Sequence, residues 1–180
     1  MIGDRSASIA PARSTVGSVT TTTEEACAGP SVAAAWQDRQ RALADTAVGG
    51  RAYCRQLAAA TDVWIRALAT AAREQHPRGP KFALLAVGGF GRGELSPQSD
   101  IDLLLVHDGR SNRIEPIASA MWYPIWDAGL KLGHAVRTVD EHLELAKGDL
   151  DTATALLTAR PIAGDAALVA TVIESGHTHW

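Results

Sequence analysis

Hydrophobic and polar residues divide the chain into an unpatterned beginning, a helical stretch and a stretch of short strands and helices. Residues 1–30 are rich in Ser, Thr, Ala, Gly and Pro and contain few large apolar side chains. Because so little apolar surface could be buried there, the entropy cost of ordering this segment would not be offset. The pattern therefore predicts a disordered tail over residues 1–30.

Two Ala-rich segments in residues 31–78 follow the period of an α-helix. Ser31 can cap the first, and the Gly49–Gly50 pair separates it from the second. We interpret the aromatic residues of these segments as helix-packing residues rather than as a ligand pocket. The apolar positions that share a helical stripe are Trp36, Leu43 and Ala47 in the first segment and Leu57, Val63, Trp64, Leu68 and Ala71 in the second.

Residues 79–180 are predicted to form the main domain. Short apolar runs predict buried strands at 82–87, 100–106 and 132–138. A helix is predicted over 112–127, and further short helices follow from residue 140. Because a short loop joins the first two strands, the order is not a regular βαβ series. The pattern predicts an α+β fold with a small mixed sheet and helices on one face.

Composition and charge exclude several classes of protein. The 180 residues are 46% hydrophobic and 21% charged, which suits one domain with a buried core. A net charge of −3 without a dense basic segment argues against general nucleic-acid binding. We found no apolar run of about 20 residues that could span a membrane and no signal-peptide pattern. Cys27 and Cys54 are too few for a disulfide framework, so a cytoplasmic protein with free thiols is predicted.

The candidate chemistry lies in residues 87–102, VGGFGRGELSPQSDID. Side chains alternate along a strand, so Asp100 and Asp102 share one face while Ile101 points into the core. Two neighbouring carboxylates repel each other unless a cation lies between them. Magnesium takes one or two carboxylates together with substrate phosphate oxygens. An Asp-x-Asp pair alone is weak evidence, since one residue could cap a turn and the other could be solvated.

Glycines strengthen the case for a phosphate site. Gly88 and Gly89 follow the first strand and allow a close approach of the backbone to a ligand. Arg92 carries a guanidinium suited to bidentate phosphate contacts. No Gly-Lys-Ser/Thr follows, and the loop leads to a strand, so the segment matches neither a P-loop nor a dinucleotide-binding fingerprint.

The segment resembles a known superfamily. Gly88–Gly89, ten further residues and then Asp100-Ile101-Asp102 resemble the signature of DNA polymerase beta-type nucleotidyltransferases. More narrowly, GGFGRGELSPQSDIDLLL is similar to the N-terminal domain of the bacterial PII uridylyltransferases. The resemblance extends over about residues 79–166. It includes the stretches WDAGL at 126–130, GHAVRT at 133–138 and ATALLTARPIAGD at 153–165.

The resemblance implies a reaction, a fold and a set of residues. UMP would pass from UTP to a tyrosine of the PII signalling protein, with Mg²⁺ or Mn²⁺ as cofactor and a polymerase-beta-like core. Asp100 and Asp102 match the metal-binding carboxylates, and Gly88 and Gly89 match the phosphate-side glycines. The same block contains two weaker candidates for phosphate contact or for holding the loop, namely Arg92 and Ser99.

Two departures from the family keep alternatives open. The strand at 132–138 has no acid where the superfamily often supplies a third carboxylate, and its His134 is an ambiguous candidate for a base or ligand. The chain also has no room for the hydrolase and ACT domains of the family, so it is predicted to be truncated. His107–Asp108 is interpreted as a turn at a strand end. A small-molecule nucleotidyltransferase and an inactive nucleotide-binding or interaction module are the alternatives.

Overall fold

The structure is a computed structural model that describes residues 29–109 and 113–178. The predicted tail lies outside this range except for Gly29 and Pro30. The helices are α1 Val32–Ala44, α2 Gly50–Gln75, α3 Gly88–Gly91, α4 Ile114–Asp127, α5 Val139–Ala146, α6 Leu150–Leu157 and α7 Ala166–Thr178. The strands are β1 Phe82–Ala86, β2 Ile101–His107, β3 Leu132–Thr138 and β4 Arg160–Gly164.

The four strands form one mixed sheet in the order β3-β2-β1-β4. Strand β1 runs antiparallel to both β2 and β4, whereas β2 and β3 are parallel. The parallel register sets Asp102 beside Gly133 and Leu103 beside His134. The mixed α+β sheet is therefore confirmed, and the ends of β1, β2 and β3 agree with the predicted strands to within one residue.

Helices cover both faces of the sheet, so the expectation of helices on one face was wrong. Leu84, Leu103 and Leu105 pack with residues of α1, α2 and α4 on one face. Leu104 and Val106 pack with residues of α5, α6 and α7 on the other. Every residue of β1 is buried, as are six of the seven residues of β2. Strands that are apolar on both sides need cover on both faces, which explains the two helical layers.

The N-terminal helices pack against each other beside the sheet. The hydroxyl of Ser31 accepts the amide of Ala34 at 3.2 Å and caps α1 as predicted. The rings of Trp36 and Trp64 lie 4.6 Å apart, which confirms their packing role. Ala47 does not extend the stripe, because α1 ends at Ala44 and Ala47 is exposed in the connecting turn. Within residues 29–109 and 113–178, no helix has the length and apolar character to cross a membrane.

Strand β4 was missed by the sequence analysis. Arg160 and Pro161 interrupt the apolar pattern, and Ile162 is the buried residue of the strand. Proline is tolerated in an edge strand because its missing N–H deprives no partner strand of a hydrogen bond. The register with β1 shifts between Leu84 and Leu85, so the pairing is also irregular.

Candidate functional site

A glycine turn connects β1 to the site. Gly88 has a φ of +59°, a left-handed conformation that glycine adopts at little cost. Its amide donates a hydrogen bond of 3.0 Å to the Thr158 hydroxyl. A Cβ on Gly91 would collide with the carbonyl oxygen of Thr158. The turn α3 is therefore packed closely against the segment that follows α6.

The carboxylate of Asp102 lies between two glycines from different elements. A Cβ on Gly88 would be 3.1 Å from Oδ2 of Asp102, and a Cβ on Gly133 would collide with Oδ1. Asp100 is exposed just before β2, while Asp102 is half-buried as the second residue of that strand. Burial, and secondly the charge of Asp100, raise the pKa of Asp102. The structure thus places the Asp102 carboxylate where burial and the charge of Asp100 both disfavour its ionised form.

The carboxylates lack compensation from the surrounding protein. In the part of the chain that the structure describes, residues 29–109 and 113–178, no ion pair or hydrogen bond is made by the carboxylate of Asp100 or of Asp102, whose backbone carbonyl does accept the Val87 amide at 3.1 Å. In the same ranges, no group of three or more His, Cys, Asp or Glu residues could hold a metal ion. A site of two carboxylates fits a hard cation that completes its coordination with water and substrate phosphates. It does not fit a cation that needs a cage of protein ligands.

A cleft of about 700 Å³ is lined by Asp102, Gly88 and residues of β3, whereas Asp100 lies outside its lining. Gly133, Ala135 and Arg137 lie on the same face of the sheet as Asp102, because parallel neighbours in register share a face. Residues of α6 and the turn after it form the opposite wall. These residues are Asp151, Thr152, Thr154, Ala155, Leu157 and Thr158. Clefts of this size hold ligands as large as a nucleotide.

Of the two weaker candidates, only Arg92 lines the cleft. Its guanidinium is 3.7 Å from Glu94, which also pairs with Arg51 at 3.3 Å. Ser99 instead closes a turn, because its hydroxyl accepts the amide of Ser96 and its own amide donates to the carbonyl of Ser96. That turn leads directly into Asp100. Ser99 is therefore placed to hold the loop, whereas Arg92 is placed beside the ligand space.

Among the remaining candidates, Gly89 lies in the turn without lining the cleft, and a Cβ there would make only ordinary contacts. His134 packs its ring against Trp122 and Trp126, with centroids 5.6 Å apart in both cases. It stands beside Leu103, on the face of the sheet opposite Asp102. The aromatic packing fixes the position of the ring, and His134 is also among the residues that line the cleft.

The His-Asp pair lies at a strand end, as the sequence analysis predicted. His107 is the buried last residue of β2, and its Nδ1 accepts the amide of Gly109 at 3.2 Å. Asp108 accepts the amide of Lys81 at 3.3 Å. Both side chains therefore close the turn after β2.

Sequence reasoning missed three residues that shape this site. Gly133 leaves room for the Asp102 carboxylate, and Thr158 holds the amide of Gly88. Arg160 donates hydrogen bonds to the carbonyl oxygens of Phe90 and Gly91. Each lies more than 30 residues from its partner, so no local spacing could have revealed the contact. The GHAVRT and ATALLTARPIAGD stretches, which contain these residues, were the available signal.

Comparisons with known proteins agree with this geometry. A family profile described as "Nucleotidyltransferase domain" matches residues 65–156. A bifunctional uridylyltransferase/uridylyl-removing enzyme of Streptomyces coelicolor is 44% identical over 143 residues, 79% of this chain and 17% of the relative. The enzyme of that name from Mycobacterium tuberculosis is 48% identical over 100 residues, covering 55% and 12% of the two chains. A third, from Bradyrhizobium, is 42% identical over 132 residues, covering 69% and 14%. The chain thus spans about one-sixth or less of these relatives.

Proposed function

We propose that this chain, which belongs to the nucleotidyltransferase domain family, transfers UMP from UTP to a tyrosine of a PII-type signalling protein and releases pyrophosphate. The names of the similar proteins support uridylyl transfer, and the resemblance of residues 79–166 supports the PII acceptor. Because the matched part is only 17% of the Streptomyces relative, the activity, nucleotide and acceptor of the whole enzyme are carried over as a proposal.

One observation carries this proposal. The Asp102 carboxylate lies between Gly88 and Gly133, is affected by the charge of Asp100 and lines a cleft. The chain itself leaves these two negative charges uncompensated within the part the structure describes. Asp100 and Asp102 would hold Mg²⁺ or Mn²⁺. When bound, the cation supplies neutralisation of the triphosphate and stabilisation of the leaving pyrophosphate.

The other site residues would hold the nucleotide. The amide of Gly88 already donates to the Thr158 hydroxyl. This glycine would therefore act by leaving space beside the Asp102 carboxylate rather than by binding phosphate. Although Gly89 does not line the cleft, its amide donates to no backbone carbonyl in residues 29–109 and 113–178, and it would be available to a phosphate oxygen that reaches the turn. Arg92 would contact phosphate from the mouth of the cleft. Ser99 would act indirectly by holding the turn before Asp100.

The arrangement suits a direct displacement. The tyrosine oxygen bonds to the α-phosphorus of UTP and its proton passes to water, while the bond between the α-phosphorus and the bridging oxygen breaks and pyrophosphate leaves. Positioning and electrostatic stabilisation account for most of the acceleration in such reactions. The site residues would therefore hold the α-phosphate and the acceptor in line.

A second candidate function is nucleotide binding without transfer. On the face that carries Asp102, β3 presents Gly133, Ala135 and Arg137, and none of them is an acid. Without an acid at these positions, β3 would supply no base to the acceptor hydroxyl. Binding and transfer must therefore be measured separately.

Calorimetry with UTP, CTP, ATP and GTP, each with and without Mg²⁺, tests the nucleotide part of the proposal. We expect binding that depends on Mg²⁺ and favours UTP, and we expect Asp102→Asn to lose it. Asp108→Asn is the matched control, because Asp108 lies near the other end of β2 and outside the cleft. A chain that binds no nucleotide in the presence of Mg²⁺ would refute both candidate functions.

A further inference from the structure

Arg160 holds the glycine turn from the opposite edge of the sheet. Its Nε donates to the carbonyl oxygen of Gly91 at 3.1 Å, and Nη2 donates to that of Phe90 at 3.0 Å. The guanidinium also lies over the ring of Phe90, 5.6 Å from its centroid. A single side chain thus binds the carbonyl oxygens of two consecutive residues of the turn.

The guanidinium is itself oriented by a carboxylate from α2. Asp62 accepts two hydrogen bonds from Arg160, at 2.5 Å from Nη1 and 3.0 Å from Nη2. Only 16% of the Asp62 side chain and 32% of the Arg160 side chain are exposed. A bidentate, largely buried pair of this kind fixes the plane of the guanidinium. Contacts made by Arg160 of β4 therefore connect α2 to the glycine turn.

The turn needs such support. Helix α3 has four residues, and a single helical turn is unstable unless tertiary contacts hold it. Its first residue, Gly88, lies against the Asp102 carboxylate. A shift of the turn would therefore move both the glycine backbone and the space available to the carboxylate.

We propose that Arg160, oriented by Asp62, is a positioning residue that fixes the carbonyls of Phe90 and Gly91 and so aims the turn at the phosphates of the nucleotide. This inference rests on the proposed function. It adds a role for α2, a helix that lies outside the glycine-aspartate motif. Arg160 acts through the backbone and does not line the cleft.

Arg66 provides a matched control. Its Nε donates to the carbonyl of Ile162 at 2.9 Å, so it also bridges α2 and β4. It makes no contact with the glycine turn. A loss of α2–β4 packing should affect Arg66 and Arg160 variants alike, whereas a loss of positioning should affect Arg160 variants alone.

The test compares Arg160→Gln, Arg160→Lys, Asp62→Asn and Arg66→Gln with the wild type. Hydrogen exchange of residues 88–93 is measured without nucleotide, and the Kd for UTP with Mg²⁺ is measured by calorimetry. We expect Arg160→Gln to raise exchange locally and to weaken UTP binding by about tenfold or more, since small displacements in a site are costly. Arg160→Lys should retain only part of the wild-type exchange protection and UTP affinity, because an ammonium lacks the planar, forked donors of a guanidinium.

The outcomes separate the two proposals. Arg66→Gln should leave exchange in residues 88–93 and the Kd within about twofold of wild type. If Arg160→Gln does not fold, the milder Arg160→Lys and Asp62→Asn variants carry the comparison. Unchanged or globally raised exchange in those variants would overturn the positioning role, as would a wild-type Kd. If the wild type binds no nucleotide, the proposed function fails, and the exchange data alone decide whether the pair holds the turn.

Discussion

At Asp102, two small residues determine how much room a carboxylate has. Gly88 closes one side from the turn, and Gly133 closes the other from β3. Gly133 does not adopt a positive φ, so its lack of a side chain serves the contact with Asp102 rather than the backbone conformation. A substitution at Gly133 should therefore shift the Asp102 carboxylate without straining the backbone at residue 133.

Gly133→Ala should reduce transfer by about tenfold or more, because the new Cβ would displace the Asp102 carboxylate by a fraction of an ångström or more. Steady-state kinetics with UTP at several Mg²⁺ concentrations measures the effect. Gly93→Ala is the control, since Gly93 has a φ of +71° and nothing within 4 Å of a Cβ. It should cost about 1 kcal/mol of stability and little activity. Equal activities of the two variants would contradict this account.

The residues predicted from the sequence share one short segment. Asp100 and Asp102 were predicted from strand alternation, and Gly88 from its place at a strand end. Gly133, Thr158 and Arg160 could not be predicted, because their roles depend on the strand register and on contacts across the sheet. Spacing identifies the groups that carry charge, whereas the groups that hold them in place appear only in three dimensions.

At the scale of elements, the turn after α6 joins two parts of the site. Thr158 follows the end of α6 and precedes β4, and its hydroxyl accepts the amide of Gly88. The site thus depends on α6 and β4 as well as on the β1–β2 hairpin.

Thr158→Val should lower the free energy of unfolding by about 1 kcal/mol, because it leaves the amide of Gly88 without its acceptor. It should also weaken UTP binding, since the glycine turn loses a tether. Thr171→Val is the control, because the Thr171 hydroxyl donates to Ala167 within α7. Urea unfolding and calorimetry measure the two effects. A Thr158 variant that loses no more UTP affinity than the control would exclude this link.

Strand prediction succeeded where an apolar run or a recognisable end marks the strand. Strand β1 is buried at every position, and β3 ends where a Thr138–Glu141 capping box starts α5. Strand β4 was not predicted because Arg160 binds the glycine turn instead of packing in the core, and because Pro161 is tolerated only in an edge strand. Arg160, which interrupts the apolar pattern of β4, is thus also the residue to which we assign a positioning role.

At the scale of the whole molecule, two buried histidines couple folding to pH. Burial lowers the pKa of His107, and burial followed by the charge of Arg137 lowers the pKa of His142. A backbone interaction with Thr152 raises the pKa of His142 and only partly offsets these effects. Both histidines therefore resist protonation in the folded state and accept it when the chain unfolds.

Stability should consequently fall as the pH drops below about 6.5, the ordinary histidine value, by up to about 1.4 kcal/mol per pH unit for each histidine. His142→Leu should remove one of the two contributions. Carboxylates with lowered pKa values, such as Asp149 and Asp165, lose their stabilisation only at more acidic pH. Urea unfolding at pH 7.5 and 5.5 gives the slope for each protein. An identical slope in wild type and variant would disprove the role of His142.

Asp100 and Asp102 are proposed to support nucleotidyl transfer in a chain whose matched part covers 17% of the Streptomyces relative. The most direct measurement is the transfer of α-phosphate-labelled UMP from UTP to a PII-type protein, with and without Mg²⁺. Wild type and Asp108→Asn should label the acceptor only when Mg²⁺ is present, whereas Asp100→Asn and Asp102→Asn should not label it although circular dichroism shows them folded. Labelling by both carboxylate variants at the wild-type rate, or none by the wild type, would contradict the claim.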